Sequence, residues 1–344
     1  MTAPAPPIRA VVVEDDTAQR AELLQVLRDG VGITVVGQAD GSLAALKLIA
    51  QTQPDVVLLD LHLRDGSSQR TIEQLMAQAP TPILALSARI DDRHSSVAVE
   101  ALVSGAVEAF PRPLRWTPEA AAQLRHTIVQ ISKITVIRHP RGRRTPAARP
   151  DVDLPAGRQG VVAIGASTGG PSALATVLPG LGGLAAPVLI VQHLHPDFTS
   201  GLLDWMSRVS ALPVETAQHD QILRPGRVYL APGGTHLRLG TGLRLKLHLA
   251  PATLHRPSVD QLFESVAQQG SAGIGVLLTG MGDDGAQGLL AIHDSGGQTL
   301  AQDEDSCAVF GMPRAAQRLG AVTTMLPLDQ IASAVQRAVA GVRV

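Results

Sequence analysis

An alternation of short apolar runs with amphipathic stretches, met twice along the chain, constrains the fold more than any other feature. Residues 8–13, 34–39, 56–59 and 83–87, with a weaker run near 107–110, are apolar enough for strands covered on both faces. Between them, stretches such as 18–28 and 43–51 carry apolar residues at i, i+3, i+4 and i+7, the helical spacing. Five such repeats predict an α/β domain with a doubly wound parallel sheet and helices on both faces. From about 132 to 159 the pattern stops, and Pro, Gly and Arg dominate with no apolar period, which predicts a linker. Apolar runs resume at 161–166, 188–192, 228–231, 243–249 and 273–279, with a short one near 299–301. Helical patterns at 171–178 and 258–268 follow. The second half therefore reads as another α/β domain, Rossmann-like and mainly parallel, with an antiparallel insertion expected around 226–250. The expected division is 1–126, a linker over 127–157, and 158–344.

Composition removes several functional classes. A formal net charge of -1 gives no global field for nucleic acid or an anionic membrane. Cys307 is the only cysteine, so neither an intrachain disulfide nor a Cys-based zinc site is available. The first residues lack a basic segment followed by an apolar signal core, and no uninterrupted apolar run reaches the ~18 residues of a spanning helix. A cytoplasmic protein without direct membrane insertion is expected.

Ligands of doubly wound sheets sit beyond the carboxyl ends of the strands. In the first half those ends hold Glu14 and Asp15, then Asp60, then Ser87. Singly, such acids are solvated turn residues or helix N-caps. Gathered together they repel one another and call for a cation, and an oxygen-rich site of this kind suits Mg²⁺. One carboxylate can then act as nucleophile toward a phosphoryl group. The segments VVVEDDTAQR, PDVVLLDLHLRDG, ILALSA and GAVEAFPRP resemble a response-regulator receiver domain over residues 8–126. The resemblance implies that Asp60 is the phosphoacceptor and that Mg²⁺ is held by Asp15, Asp60 and the His62 carbonyl, with Glu14 completing the acidic pocket. It also implies that Ser87 is the switch hydroxyl. Two positions depart from that pattern. Arg112 stands where a receiver carries lysine, and Lys47, Lys133 and Lys246, the only lysines, cannot replace it. Ala109 stands at the switch-aromatic position, with Phe110 beside it.

In the second half, VVAIGASTGGPSAL is a strand, a glycine turn and a helix opening with Pro171 near its first turn. Such a turn can hold a phosphate, or present Ser167 as a nucleophile beside amides that stabilise an oxyanion, or be merely structural. It matches neither GxGxxG nor GxxxxGK[ST], which weakens a nucleotide-binding reading. His193 follows the next strand, and Asp283 and Asp284 follow the strand at 273–279. Ser, His and Asp at three strand ends form a set compatible with a catalytic triad.

Residues 158–344 resemble the catalytic domain of the chemotaxis protein-glutamate methylesterase family. The resemblance rests on AIGASTGGP, QH, LRPGRVYLAPGGTHL, HRPSVDQLFES, LLTGMGDDGAQGL and AQDEDSCAVFGMPR in that order. It implies Ser167 as nucleophile, His193 as general base and Asp284 as orienting acid, with Asp283 outside the triad. The turn at Ser167–Thr168 and the Met281 amide are the implied oxyanion donors. His255, Arg256, Pro257, Ser258 and Asp260 either shape the cleft or cap the helix beginning near Ser258. His236 is either a site-edge residue or a turn residue.

The implied reaction is hydrolysis of glutamyl γ-methyl esters on methylated chemoreceptors, with glutamine deamidation as a side activity and no cofactor in the esterase half. A chemotaxis histidine kinase would supply the phosphoryl group, and the unphosphorylated receiver would block receptor access. A non-enzymatic signalling scaffold, or the same esterase in a non-flagellar chemosensory pathway, are the alternatives.

Overall fold

The structure, a computed structural model, describes residues 6–29, 32–66, 68–87, 92–134 and 160–341, so most of the expected linker lies outside the described residues. The chain divides into two compact units, 1–141 and 142–344.

The first unit runs β1 (Ile8–Val13), α1 (Thr17–Arg28), β2 (Ile33–Ala39), α2 (Ser42–Thr52), β3 (Val56–Asp60) and α3 (Ser68–Gln78). It continues with β4 (Ile83–Ser87), α4 (Asp92–Val103), β5 (Glu108–Pro111) and α5 (Pro118–Ile131). The sheet is parallel, in the order β2-β1-β3-β4-β5. That order reverses between β1 and β3, which opens a crevice at their carboxyl ends. Every residue of β3 and β4 is buried, as central strands covered on both faces require. Each fully buried Val, Leu or Ile there contributes about 1.5–3 kcal/mol. Asp16 caps α1 by accepting from Ala18 N and Gln19 N, so the turn after β1 is fixed just where the acidic residues project. α5 reaches Ile131, so the fold of the first unit extends past the expected boundary at 126.

The second unit begins with β6 (Val161–Ala166), α6 (Gly170–Val177), β7 (Val188–Gln192), α7 (Thr199–Val209), β8 (Val214–Thr216) and β9 (Val228–Leu230). Then come β10 (His236–Leu239), β11 (Leu245–His248), α8 (Val259–Ala267), β12 (Gly273–Leu277) and α9 (Ala286–Asp294). β13 (Gln298–Gln302), α10 (Met312–Arg318), β14 (Thr324–Leu326) and α11 (Leu328–Val339) complete it. Seven strands form one sheet in the order β14-β13-β12-β6-β7-β9-β8, and every pairing in it is parallel.

The antiparallel insertion differs from the expected 226–250. β9 belongs to the parallel sheet, while among the described residues β10 and β11 pair antiparallel as a hairpin outside it, with one isolated antiparallel bridge between Ile222 and Arg244. The expected strand over 243–249 is likewise shortened to Leu245–His248 by a turn of 3-10 helix at Thr241–Leu243. Gly242 and Leu243 take φ +66° and +55° there, outside the extended region, so strand pairing begins only at Leu245. No helix among the described residues is long and apolar enough to cross a membrane.

Candidate active site

β6, β7 and β12 are neighbours in the second sheet, and their carboxyl ends carry Ser167, His193 and the turn leading to Asp284. Register sets the juxtaposition. Ala166 pairs with Gln192, and His193 N donates to Ala166 O at 2.9 Å, so His193 leaves its strand alongside Ser167. Ser167 is pinned from both sides: its N–H donates to Thr279 O at 3.0 Å, and its carbonyl accepts from Gly170 N at 2.8 Å. The same carbonyl accepts from the Gln192 side-chain amide at 2.8 Å, and that amide also donates to His193 O at 2.8 Å. Gln192 thereby ties the two strand ends together. Gly169, at φ +77°, turns the chain into α6, where side chains other than glycine are strained.

His193 Nε2 lies 2.8 Å from Asp284 Oδ2. A carboxylate there demands a proton on Nε2, which leaves Nδ1 bare. Nδ1 is buried and has no hydrogen-bond partner. An unpaired buried acceptor is costly, and a nitrogen kept in that state is poised to take a proton. Asp284 is held by four donors: His193 Nε2, Ser258 Oγ at 2.8 Å, Val259 N at 2.8 Å and Asp260 N at 3.0 Å. Burial alone would raise its pKa, yet the His193 hydrogen bond and charge, with the two amides of α8, hold it well below the usual carboxylate range. Asp283, by contrast, is exposed.

The remaining sequence-derived residues separate into two groups. His255 stacks on His193, with ring centroids 4.0 Å apart, and Ser258 reaches Asp284, so both join the site. The N–H groups of Thr168 and Met281, on the turns after β6 and β12, donate to no protein acceptor among the described residues. Gly280 lies against Ser167, since a Cβ at Gly280 would come within 2.8 Å of Ser167 Cβ. Arg256 is exposed and joins through its backbone, its carbonyl accepting from Gly234 N. His236 is fully buried; Nδ1 accepts from Ser258 N at 3.2 Å and Nε2 donates to Pro251 O at 2.9 Å. Both ring nitrogens are spent on backbone, which makes His236 a support beneath Ser258.

The first unit holds the acidic cluster at the β1–β3 crevice. Arg112 enters it from the end of β5, bonding Glu14 Oε2 and Gln19 Oε1, with Asp60 Oδ2 3.8 Å away. Its other terminal nitrogen, Nη2, is buried without a partner. Asp60 Oδ1 accepts from His62 N at 3.1 Å, and Asp15 Oδ2 accepts from Arg64 N at 2.8 Å. Burial and the charge of Asp60 raise the Glu14 pKa against the pull of Arg112. Burial works on Asp60 in the same sense, but His62 and Arg112 outweigh it and hold Asp60 below its ordinary value. Ser87 is buried, and its carbonyl accepts from Arg112 N at 2.7 Å. Ala109 is buried, and Phe110 is buried in the core and stacked on Trp116, with centroids 6.3 Å apart. No group of three or more His, Cys, Asp or Glu with the arrangement of a metal site occurs among the described residues.

Comparison with known proteins bears on both units. The CheB methylesterase family matches residues 162–335, and the response regulator receiver domain matches residues 10–117. A protein-glutamate methylesterase/protein-glutamine glutaminase 2 of Anaeromyxobacter dehalogenans is 43% identical over 334 residues, 96% of this chain and 96% of its own length. This chain belongs to the CheB methylesterase family. The protein-glutamate methylesterase FrzG of Myxococcus xanthus is 39% identical over 322 residues, 92% of this chain and 95% of its own. The crystal structure of the Thermotoga maritima CheB methylesterase catalytic domain is 35% identical, with a TM-score of 0.51, over 52% of this chain and 98% of that domain. The second unit is thus the hydrolase of a CheB-type protein and the first its receiver.

Within this CheB-type site, sequence reasoning missed Gln192 and Thr279. Thr279 Oγ1 donates to Thr168 O at 2.9 Å and accepts from Val309 N at 2.9 Å, bracing the turn that follows Ser167. A signal existed for Gln192: a polar residue closing an otherwise apolar strand immediately before His193. None existed for Thr279, whose partners lie 111 and 30 residues away.

Proposed function

We propose that this chain is a cytoplasmic, phosphorylation-controlled esterase that hydrolyses glutamyl γ-methyl esters on chemoreceptors and releases methanol. Ser167 is the nucleophile, His193 the general base and Asp284 the orienting acid. The buried, unpartnered Nδ1 of His193, on a ring whose Nε2 is anchored by Asp284 and whose backbone leaves its strand alongside Ser167, carries this reading.

Ser167 Oγ attacks the ester carbonyl as its proton passes to His193 Nδ1. The tetrahedral oxyanion takes the amides of Thr168 and Met281. Collapse breaks the C–OCH₃ bond, and the proton on Nδ1 leaves with the methoxide as methanol. Water then attacks the acyl-enzyme, giving its proton to Nδ1, and the second collapse returns the proton to Ser167 and frees the glutamate. Asp284 stabilises the imidazolium in both halves. Proton transfer of this kind contributes about 10²–10⁴-fold and one oxyanion donor about 10²–10³-fold. A receptor glutamine would follow the same route with ammonia leaving.

In the receiver, Asp60 is the phosphoacceptor, with a chemotaxis histidine kinase as donor. The donor set is all oxygen and suits Mg²⁺, a cation that keeps several of its waters. Asp15, Asp60 and the His62 carbonyl would hold it, and when bound it neutralises charge on the incoming phosphoryl group. The partnerless Nη2 of Arg112, 9% exposed as a residue, supports a place for Arg112 on the phosphoryl oxygens, with Ser87 as the switch hydroxyl. Phosphorylation adds a charge of nearly −2, which we infer relieves restraint of the esterase by the receiver.

The test is methanol release from methylated chemoreceptor fragments, comparing the full chain with Ser167→Ala, each with and without a small phosphodonor. Release by the unaltered chain alone, rising with phosphodonor, is the expected result. No release by folded protein from receptors of its own pathway would overturn the enzyme reading.

A further inference from the structure

The helices α8 and α9 meet at their first turns. A Cβ at Gly288 would fall 2.6 Å from Phe263 Cβ, 2.9 Å from Asp260 O and 3.0 Å from Asp260 Cα, so only glycine allows this approach. Each helix presents open N-terminal amides that need an acceptor, and each receives an acid from the other. Asp284, just before α9, accepts from Val259 N and Asp260 N of α8. Asp260, in the first turn of α8, accepts from Gly288 N of α9 through Oδ1 at 2.7 Å. The two acids therefore form a reciprocal cap, one half of which is also the partner of His193.

We propose that Asp260 is a positioning residue for the reaction: by binding Gly288 N it fixes the α8–α9 crossing that keeps the Asp284 carboxylate on His193 Nε2. The proposal rests on the triad reading above. Asp284 takes three of its four donors from Ser258, Val259 and Asp260. A movement of α8 therefore carries the carboxylate with it. Without Asp260 Oδ1 the α9 amide loses its acceptor, and the crossing is left to apolar packing, which slides more freely than a hydrogen bond. Catalytic geometry is unforgiving: a misplacement of about 1 Å costs about 10²-fold.

Methanol release by the full chain, measured as kcat and KM for Asp260→Ala, Asp260→Asn, Asp284→Ala and the Asp260→Ala/Asp284→Ala pair, tests this. Asp260→Ala should lower kcat about 10²-fold with KM within about twofold. Asp260→Asn keeps an oxygen for Gly288 N and should recover most of that loss. In the Asp284→Ala background the Asp260→Ala change should cost less than about threefold, since residues acting as one unit are strongly non-additive. An undiminished effect in that background, or full activity of Asp260→Ala, would overturn the proposal. Running the same cycle with Asp260→Thr keeps it decisive where the alanine variant does not fold. Full activity of Asp284→Ala or Ser167→Ala would instead remove the triad itself.

Discussion

The imidazole of His255 lies over that of His193, with centroids 4.0 Å apart and planes 12° from parallel. Burial, reinforced by the charge of His193, pushes His255 down to about 4, so this ring is neutral from pH 5 upward. It covers one face of the His193 ring. An aromatic stack contributes about 0.5–1.5 kcal/mol, equivalent to about 2–10-fold in rate. His255→Ala is expected to lose that much in kcat, and His255→Phe, which preserves a flat ring, to lose less. The pH–rate profile of His255→Phe between pH 5 and 9 should superimpose on that of the unaltered chain. A displaced profile would show that His255 carries a proton in the reaction.

Asp284→Asn puts an amide NH₂ among four donors and removes the charge that stabilises the imidazolium. A fall in kcat on the order of 10⁴ is expected, the size seen for the equivalent change in a serine-protease triad. Stability should change as well. The folded-state pKa of Asp284 is depressed, so its contribution is present above the unfolded value of 3.8 and lost as pH falls through the folded one. The Tm difference between the unaltered chain and Asp284→Asn should be full at pH 7, begin to narrow only below about pH 4 and keep shrinking as the pH falls further. A difference independent of pH would contradict this account.

Much of this site could be read in the sequence because strand ends announce themselves. The end of an apolar run fixes where Ser167, His193, Asp60 and Glu14 project, and at Ser167 a glycine turn marks it as well. What could not be read is which distant group meets them. Family resemblance alone separated Asp284 from Asp283; the physical reason is the amides of α8, contributed from 24 to 25 residues away. His236 read equally as a site-edge or a turn residue, and its buried place under Ser258 could not be foreseen, because its partners at Pro251 and Ser258 arise from the path of a loop. β9 was expected in the antiparallel insertion, since a three-residue strand carries no trace of its neighbour. β8 and β14, equally short, were missed because three residues cannot display a period.

Arg112 and Glu14 are a buried pair, 9% and 1% exposed at their side chains. Removing one partner strands the other charge, at a cost of about 3–5 kcal/mol. Here the stranded Glu14 would also face Asp60, whose charge already raises its pKa. Arg112→Met should destabilise the receiver by that order in denaturant unfolding and abolish the response to phosphodonor. Adding Glu14→Gln should restore most of the stability without restoring the response. Stability unchanged in the single variant would mean that the pair is solvent-screened.

Glu108 on β5 is pushed up to about 7 by burial, against the help of the Ala109 amide. Its folded pKa lies above the unfolded 4.5, so its contribution is full below pH 4.5 and lost as pH rises through 7. Glu108→Gln should therefore melt above the unaltered receiver at pH 8, and the advantage should vanish below pH 4.5. An advantage equal at pH 4 and pH 8 would trace to packing rather than to ionisation.

Gly280 tests how tightly the serine is held. A methyl group there would lie 2.2 Å from Met312 Sδ and 2.8 Å from Ser167 Cβ. The sulfur ends a flexible side chain and can swing away. Ser167 cannot, because its N–H is held by Thr279 O and its carbonyl by Gly170 N and Gln192. The clash must then be relieved by displacing the serine or the Met281 amide that follows Gly280. Gly280→Ala is expected to lower kcat by about 10² with KM little changed, as for other misplacements near 1 Å. Labelling of Ser167 by a serine-reactive phosphonate should slow in parallel, since both need the same alignment. Met312→Ala clears the sulfur and Cγ but not Ser167, so in combination it should recover less than half of the lost activity on a logarithmic scale, and full recovery would show that Ser167 was never displaced.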